Sequence, residues 1–320
     1  MKKILNTILL IIFSAIIIKA QSFSENIDKE RFKTNNVKSQ VKWKYKHGST
    51  SGTKILSRVI DKQGNIIEEI NYKPNGDISS RLTFKYDALG NKIEFININV
   101  AEDNKISFKQ SFIYDSKNRL SVENGYDGIS NYRLEYKYGD NDKIIEIIKY
   151  NAANQIEEKW NYTYSGNLVT IQILKGGISL KSKIIEKYDA KNNLIEKITY
   201  NSDNTIQKRN VYKYDDNRHL IQEEEYYQKN LLQKLLYNYN SNGFLISIDK
   251  IEPDGKKYTN NRYEYDTKGN LIEELWYDGD PNDYSKKSYN YDLNNNLTQV
   301  DSYYSQYKYK VLYKYTYEFY

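Results

Sequence analysis

Residues 265–271 read Y-D-T-K-G-N-L, and residues 188–194 read Y-D-A-K-N-N-L. The same heptad stands at Tyr86 (Y-D-A-L-G-N-K), Tyr114 (Y-D-S-K-N-R-L), Tyr214 (Y-D-D-N-R-H-L) and Tyr291 (Y-D-L-N-N-N-L). Degenerate copies begin at Ile60, Tyr138, Tyr164 and Tyr239. Successive anchors are 24 to 28 residues apart. Twelve residues after most anchors comes another Tyr, as at Tyr72, Tyr126, Tyr200 and Tyr277. A second turn cluster follows it, such as K-P-N-G-D at 73–77 or N-S-D-N at 201–204. The unit is strand, turn, strand, turn, and turn signals at this spacing predict short antiparallel strands.

Turn chemistry accounts for the motif. Asp87, Asp115, Asp189, Asp215, Asp266 and Asp292 follow the anchor tyrosines. Asp favours the first position of a type I turn, where its carboxylate accepts a backbone N–H two residues on. Three residues later stands Gly or Asn, as at Gly90, Asn118, Asn192, Gly269 and Asn295. These residues tolerate the positive φ of a hairpin loop with a bulge. Leu commonly stands six after the anchor, so Tyr enters the turn and Leu leaves it. The two are expected to meet across the hairpin mouth and between hairpins.

Composition fits a shallow structure. The chain has 320 residues, of which 34 are Tyr and 39% are hydrophobic; mean hydropathy is -0.83. There is no Cys, which excludes disulfides, thiolate metal sites and Cys nucleophiles. Two His leave no room for a histidine-rich centre. The formal charge of +6 is interspersed with acids, which speaks against a nucleic-acid stripe. Lys2-Lys3, the apolar run Ile8–Ile18 and Ala20 read as an export signal over 1–20. Residues 21–40 read as a flexible leader, and 41–320 as the repeat domain.

Strands such as Leu271–Tyr277 mix apolar and charged residues on both faces. That predicts an all-β, extended, twisted antiparallel sheet of about ten tandem hairpins, open and wet on both sides. Trp43 and Tyr45 alternate with Lys42, Lys44 and Lys46 in a first strand. Val311, Tyr313, Tyr315, Tyr317 and Phe319 line one face of a last one, with Lys308, Lys310 and Lys314 on the other. Lysines on terminal strands would block edge-to-edge pairing.

The Y-D-x-x-G-N-L pattern resembles the YD repeats of the RHS-repeat family, over about residues 55–320. The resemblance implies an extended sheet that coils into a shell in long members. It also implies association with carbohydrate or surface partners, and carriage of a C-terminal toxin. Only Arg119 matches the Arg that the family places before its Leu, and no cargo domain is expected after the repeats.

Catalytic signals are sparse. Gly48-Ser49-Thr50-Ser51-Gly52 lacks the strand–turn–helix setting of a nucleophile elbow. Acid pairs occur at Glu68-Glu69, Glu157-Glu158, Glu223 to Glu225 and Glu273-Glu274. Adjacent strand residues point to opposite faces, so such pairs do not share a cleft as glycoside hydrolysis requires. The segment 278–283 resembles the start of a calcium loop but lacks its Gly and its final Glu. His47 and His219 read as ordinary polar residues. Trp160 and Trp276, near acids and amides, are candidates for stacking a sugar. The sequence thus predicts an exported, non-enzymatic module without cofactor or metal. It would bind a glycan or a surface protein, with no membrane span in the mature chain. Alternatives are a structural spacer, a glycan-cleaving enzyme and an outer-membrane barrel. The alternating final strand suggests the barrel, and charges on both strand faces oppose it.

Overall fold

The computed structural model describes residues 28–277, 279–280 and 282–320. The expected export signal lies outside them, and so do Asp278 and Pro281 of the calcium-like segment. The described residues form 22 strands, among them β1 (Val37–Lys46), β2 (Gly52–Ile60), β3 (Ile66–Tyr72), β19 (Leu271–Tyr277), β20 (Tyr284–Tyr291), β21 (Leu297–Tyr304) and β22 (Tyr309–Phe319). Each pairs antiparallel with the next in sequence.

The last strand then pairs with the first. Gln40 lies opposite Tyr317, Lys42 opposite Tyr315, Lys44 opposite Tyr313 and Lys46 opposite Val311. The sheet is therefore a closed up-and-down barrel, and the expectation of an open sheet is overturned. Closure removes the two rows of unpaired N–H and C=O groups that an open sheet carries. The terminal lysines consequently guard no edge: Lys42 and Lys44 sit within the ladder, opposite tyrosines of β22.

Each Y-D turn is a small hydrogen-bonded cage. Gly90 N–H donates to the Asp87 carbonyl at 3.0 Å, and Asp87 N–H to the Asn91 carbonyl at 2.9 Å. Asp87 Oδ1 accepts the N–H groups of Leu89 and Asn91, and its Oδ2 accepts Asn91 Nδ2, each at 2.9 Å. Asp189 with Asn193 and Asp266 with Asn270 repeat the cage. So the Asn that follows the Gly saturates the second carboxylate oxygen. Arg119 and His219 take that role at Asp115 and Asp215. The expected positive φ is present, at 84° for Gly90 and 61° for Asn118.

The tyrosines tie one hairpin to the next. Tyr114, Tyr214 and Tyr291 are direct partners of Leu120, Leu220 and Leu297 across their own hairpins. Their hydroxyls reach back about one repeat. Tyr214 donates to the Leu194 carbonyl at 3.0 Å and Tyr291 to the Leu271 carbonyl at 2.9 Å. Tyr86, Tyr138, Tyr164 and Tyr239 do the same with Ile66, Leu120, Ile144 and Leu220. Tyr317 bonds the Leu297 carbonyl at 2.7 Å and is thus an anchor that the heptad search does not find.

Residues 28–34 are helical, and β1 starts at Val37. Phe32 of this helix is fully buried with Val37 and Ile60, against Ile66 and Tyr317. Asn35 Nδ2 donates to the Asn294 carbonyl at 2.9 Å and to Asn296 Oδ1 at 2.8 Å. Gly64 permits the close approach: a Cβ there would lie 2.1 Å from the Lys29 carbonyl. Tyr320 closes the rim from the other side, donating to the Ile60 carbonyl at 2.7 Å. Helix and C-terminus together clasp the seam.

Hydrogen bonds hold the carboxyls of Asp87, Asp189 and Asp266 below their ordinary value of 3.8, led by the Asn91 side chain at Asp87, the Asn193 backbone at Asp189 and the Asn270 side chain at Asp266. Such a group contributes stability above its unfolded pKa and loses it as pH falls through the folded one. The apparent unfolding midpoint should be level from neutral pH to about pH 4 and drop steeply below it. Circular-dichroism melts across that range would show this, and a midpoint unchanged well into the acid range would contradict it.

Candidate functional site

Strand alternation sorts every side chain to one of two walls, and direct partners share a wall. One inward row runs Lys46, Val311, Ser302, Lys287, Glu274, Tyr263. Another contains Ile147, Trp160, Ile173 and Ser182. The buried mid-strand residues lie almost entirely on this wall: Trp160, Ile171, Ile173, Ile184, Val300 and Val311. Ile148 is an exception on the other wall. Side chains crowd on the concave side of a closed sheet, so this wall is the lumen.

The close strand-to-strand backbone contacts join ladder neighbours. With 22 strands spaced about 4.8 Å apart, a round section would measure roughly 34 Å between backbones. Few side chains are fully buried, because a hollow wall gives each one neighbours on a single face.

The lumen sets aromatic rings beside charges that are mostly paired, such as Glu186 with Lys197 at 2.9 Å. Phe84 stacks on Phe95 with ring centres 5.1 Å apart, and Phe108 continues the row at 5.7 Å. Trp276 meets Tyr304 edge-on at 6.1 Å. Luminal carboxylates are engaged: Glu69 with Arg58 at 2.8 Å, and Glu274 with Lys287 at 2.9 Å and the Tyr289 hydroxyl at 2.8 Å. Glu123 is buried and accepts from Gln110 at 2.6 Å and from the Tyr132 hydroxyl at 2.8 Å.

The outer wall has a different chemistry. Glu94 sits between Lys85 at 2.7 Å and Lys109 at 3.7 Å. Glu146 sits likewise between Lys137 and Lys159. The side chains of Lys85 and Lys137 are 68% and 57% exposed. These are ion-pair ladders open to the surroundings.

The acid pairs divide as alternation requires. Glu68 faces outward to Arg81, and Glu69 faces inward to Arg58. Glu273 faces outward to Lys286, and Glu274 inward to Lys287. Among the described residues no group of His, Cys, Asp or Glu could hold a metal ion. His219 is part of a turn cage and stacks on Tyr239 at 4.7 Å.

The two candidate stacking residues are luminal and far apart in the ladder. Trp160 is packed among Ile171, Ile173 and Ile184, so its ring offers no face. Trp276 is half-buried, with Lys287 5.0 Å from its ring centre. The reading of an extended aromatic sheet that binds a glycan or surface partner is overturned, because that aromatic face lines the inside of a closed barrel. The expectation of no membrane span also falls. Among the described residues no helix is long and apolar enough to cross a membrane. A closed strand barrel is, however, one of the two architectures that can span one. Sequence reasoning missed the luminal lysines, which read as edge guards until the seam was placed.

No family model matches the chain, and no curated protein matches it. Among solved structures, it is similar to a porin-like protein from Bacteroides uniformis ATCC 8492, at 8% identity, 88% coverage of this chain, 98% of that chain and a TM-score of 0.31. A porin-like protein from Bacteroides vulgatus ATCC 8482 aligns at 12% identity over 62% of this chain and 97% of that chain, with a TM-score of 0.23. A TcdB2-TccC3-Cdc42 structure aligns at 14% identity over 78% of this chain, with a TM-score of 0.25. The chain spans 19% of that protein's length. These similarities are too loose to carry an argument, and the architecture rests on the chain's own ladder. The expected membership of the YD-repeat family, with its open coiling sheet, gives way to that closed ladder.

Glu123→Ala should destabilise the barrel by about 1–3 kcal/mol, because it removes the buried acceptor shared by the half-buried donors of Gln110 and Tyr132. Urea unfolding measures this, and a change within error would show that the cluster is solvated.

Proposed function

We propose that this protein is an exported, hollow β-barrel of the bacterial outer membrane, and that its lumen is a passage for a solute. Closure by β1 and β22 is the observation that carries the reading. A chain that crosses a bilayer with strands needs every backbone group paired and no free edge. Single-chain bacterial barrels of this kind have an even number of strands in up-and-down order. The strands named above run from 7 to 11 residues. Crossing a hydrocarbon layer takes about 9–11 tilted residues, so the longer strands reach and the shorter ones call for a thin apolar band. The N-terminal segment with Lys2-Lys3 and Ile8–Ile18 supplies the export step.

One observation favours a second reading. The ladders Lys85–Glu94–Lys109 and Lys137–Glu146–Lys159 lie on the outer wall, where lipid contact selects apolar side chains. A barrel that keeps its outer wall in water would be a container, with the same lumen as its working surface.

The test is to fractionate cells that express the full chain, then reconstitute the purified protein in planar bilayers. The channel reading predicts recovery with the outer membrane, extraction by detergent only, and stepwise conductance. Full solubility without detergent together with a silent bilayer would exclude the channel and leave the container.

A further inference from the structure

Inward-facing cations without a carboxylate partner are gathered at the seam, whereas Lys197 and Lys208 elsewhere on the wall are paired with Glu186 and Glu225. Lys42, Lys44 and Lys46 alternate along β1 and all face inward, as partners of Tyr315, Tyr313 and Val311. Lys42 Nζ stands 4.4 Å from the Tyr313 ring centre and 5.5 Å from that of Tyr315. Lys44 Nζ is 5.8 Å from the Tyr309 ring centre. Ring faces can hold a cation but do not neutralise it. Among the described residues, none of the three has a carboxylate within ion-pair reach, whereas the neighbouring Arg58 and Lys287 are paired with Glu69 and Glu274. From β19 round to β3, five inward cations therefore face two inward carboxylates.

A second observation lies in the same row. Ser302 stands between Val311, the partner of Lys46, and Lys287. It is 4% exposed, and its hydroxyl has no hydrogen-bond partner in the protein. A buried hydroxyl without a partner costs free energy unless something accepts from it. An anion there would accept that hydrogen bond and neutralise the lysine column.

We infer that the solute taken by the lumen is an anion, and that Lys42, Lys44 and Lys46 with Ser302 form its track along the seam. This deepens the proposed passage by naming the class of solute. Three ammonium groups at two-residue intervals, about 7 Å apart along the strand, let an anion move from one to the next without leaving positive potential.

The test uses the full chain and the triple variant K42Q/K44Q/K46Q, with the outer-wall variant K85Q/K137Q as control. In a KCl gradient across a planar bilayer, the wild type should show a reversal potential of anion-preferring sign. The triple variant should lose that preference, and the control should keep it. Equilibrium dialysis against inorganic phosphate provides an arm that needs no membrane. The wild type should retain phosphate, and removal of each lysine should weaken retention about tenfold. Ser302→Ala should weaken it while leaving the circular-dichroism spectrum unchanged. A silent bilayer with phosphate retained on the lysines would end the channel reading and leave the anion track standing. A cation preference, an unaltered preference in the triple variant, or a wild type that retains no phosphate and conducts without anion preference would overturn the inference.

Discussion

The pairing of β22 with β1 is the constraint on which the rest of the structure depends. Every other ladder contact joins strands adjacent in sequence, and turn chemistry can dictate it locally. The seam joins residues that are far apart, as in the Gln40–Tyr317 side-chain bond across 277 positions. Once it forms, two rows of backbone donors and acceptors are satisfied together. Each side chain is then assigned to a luminal or an outer wall. The Phe32 helix and the Tyr320 hydroxyl reinforce the same place, where the chain's own ends must meet without a covalent turn between them.

Within the ring, the repeat supplies geometry twice over. The Asp-centred cage fixes the Y-D turns, and most anchor Tyr hydroxyls reach a carbonyl of the previous hairpin. The bulge beside most anchors, as between Lys213 and Tyr214, bends the strand locally. Repeating such bends at nearly every Y-D turn offers a physical route to a curved sheet. A thin wall held by tyrosine hydroxyls needs little apolar volume, which reconciles many tyrosines with so few buried side chains.

Much of this was legible in the sequence, and for local reasons. Repeat spacing gave the strands, Asp and Gly or Asn gave the turns, and the Tyr–Leu pairing followed from both. The division of acid pairs between faces followed from strand periodicity. Closure was not legible, because no residue near either terminus announces a partner so distant in the chain. The mixed faces of Leu271–Tyr277 misled for a related reason. A wide lumen lets a charge face inward beside aromatics, so an inner wall reads much like a solvated one. The helix at 28–34 escaped notice because it docks through one apolar residue, Phe32, and shows no amphipathic period. The candidate tryptophans were placed on a surface that closure turns inward.

The measurement that bears most directly on this account is a cross-link across the seam. The chain has no native cysteine, so a pair placed at Val41 and Thr316, direct partners on the outer wall, gives an unambiguous readout. A closed barrel predicts that V41C/T316C is joined within one molecule by a short thiol cross-linker, at high yield and at any dilution. The control pair V41C/Q172C, placed far apart around the ring, should remain unjoined. An open sheet would leave V41C/T316C unlinked, or linked only between molecules at high concentration, and that result would contradict the account.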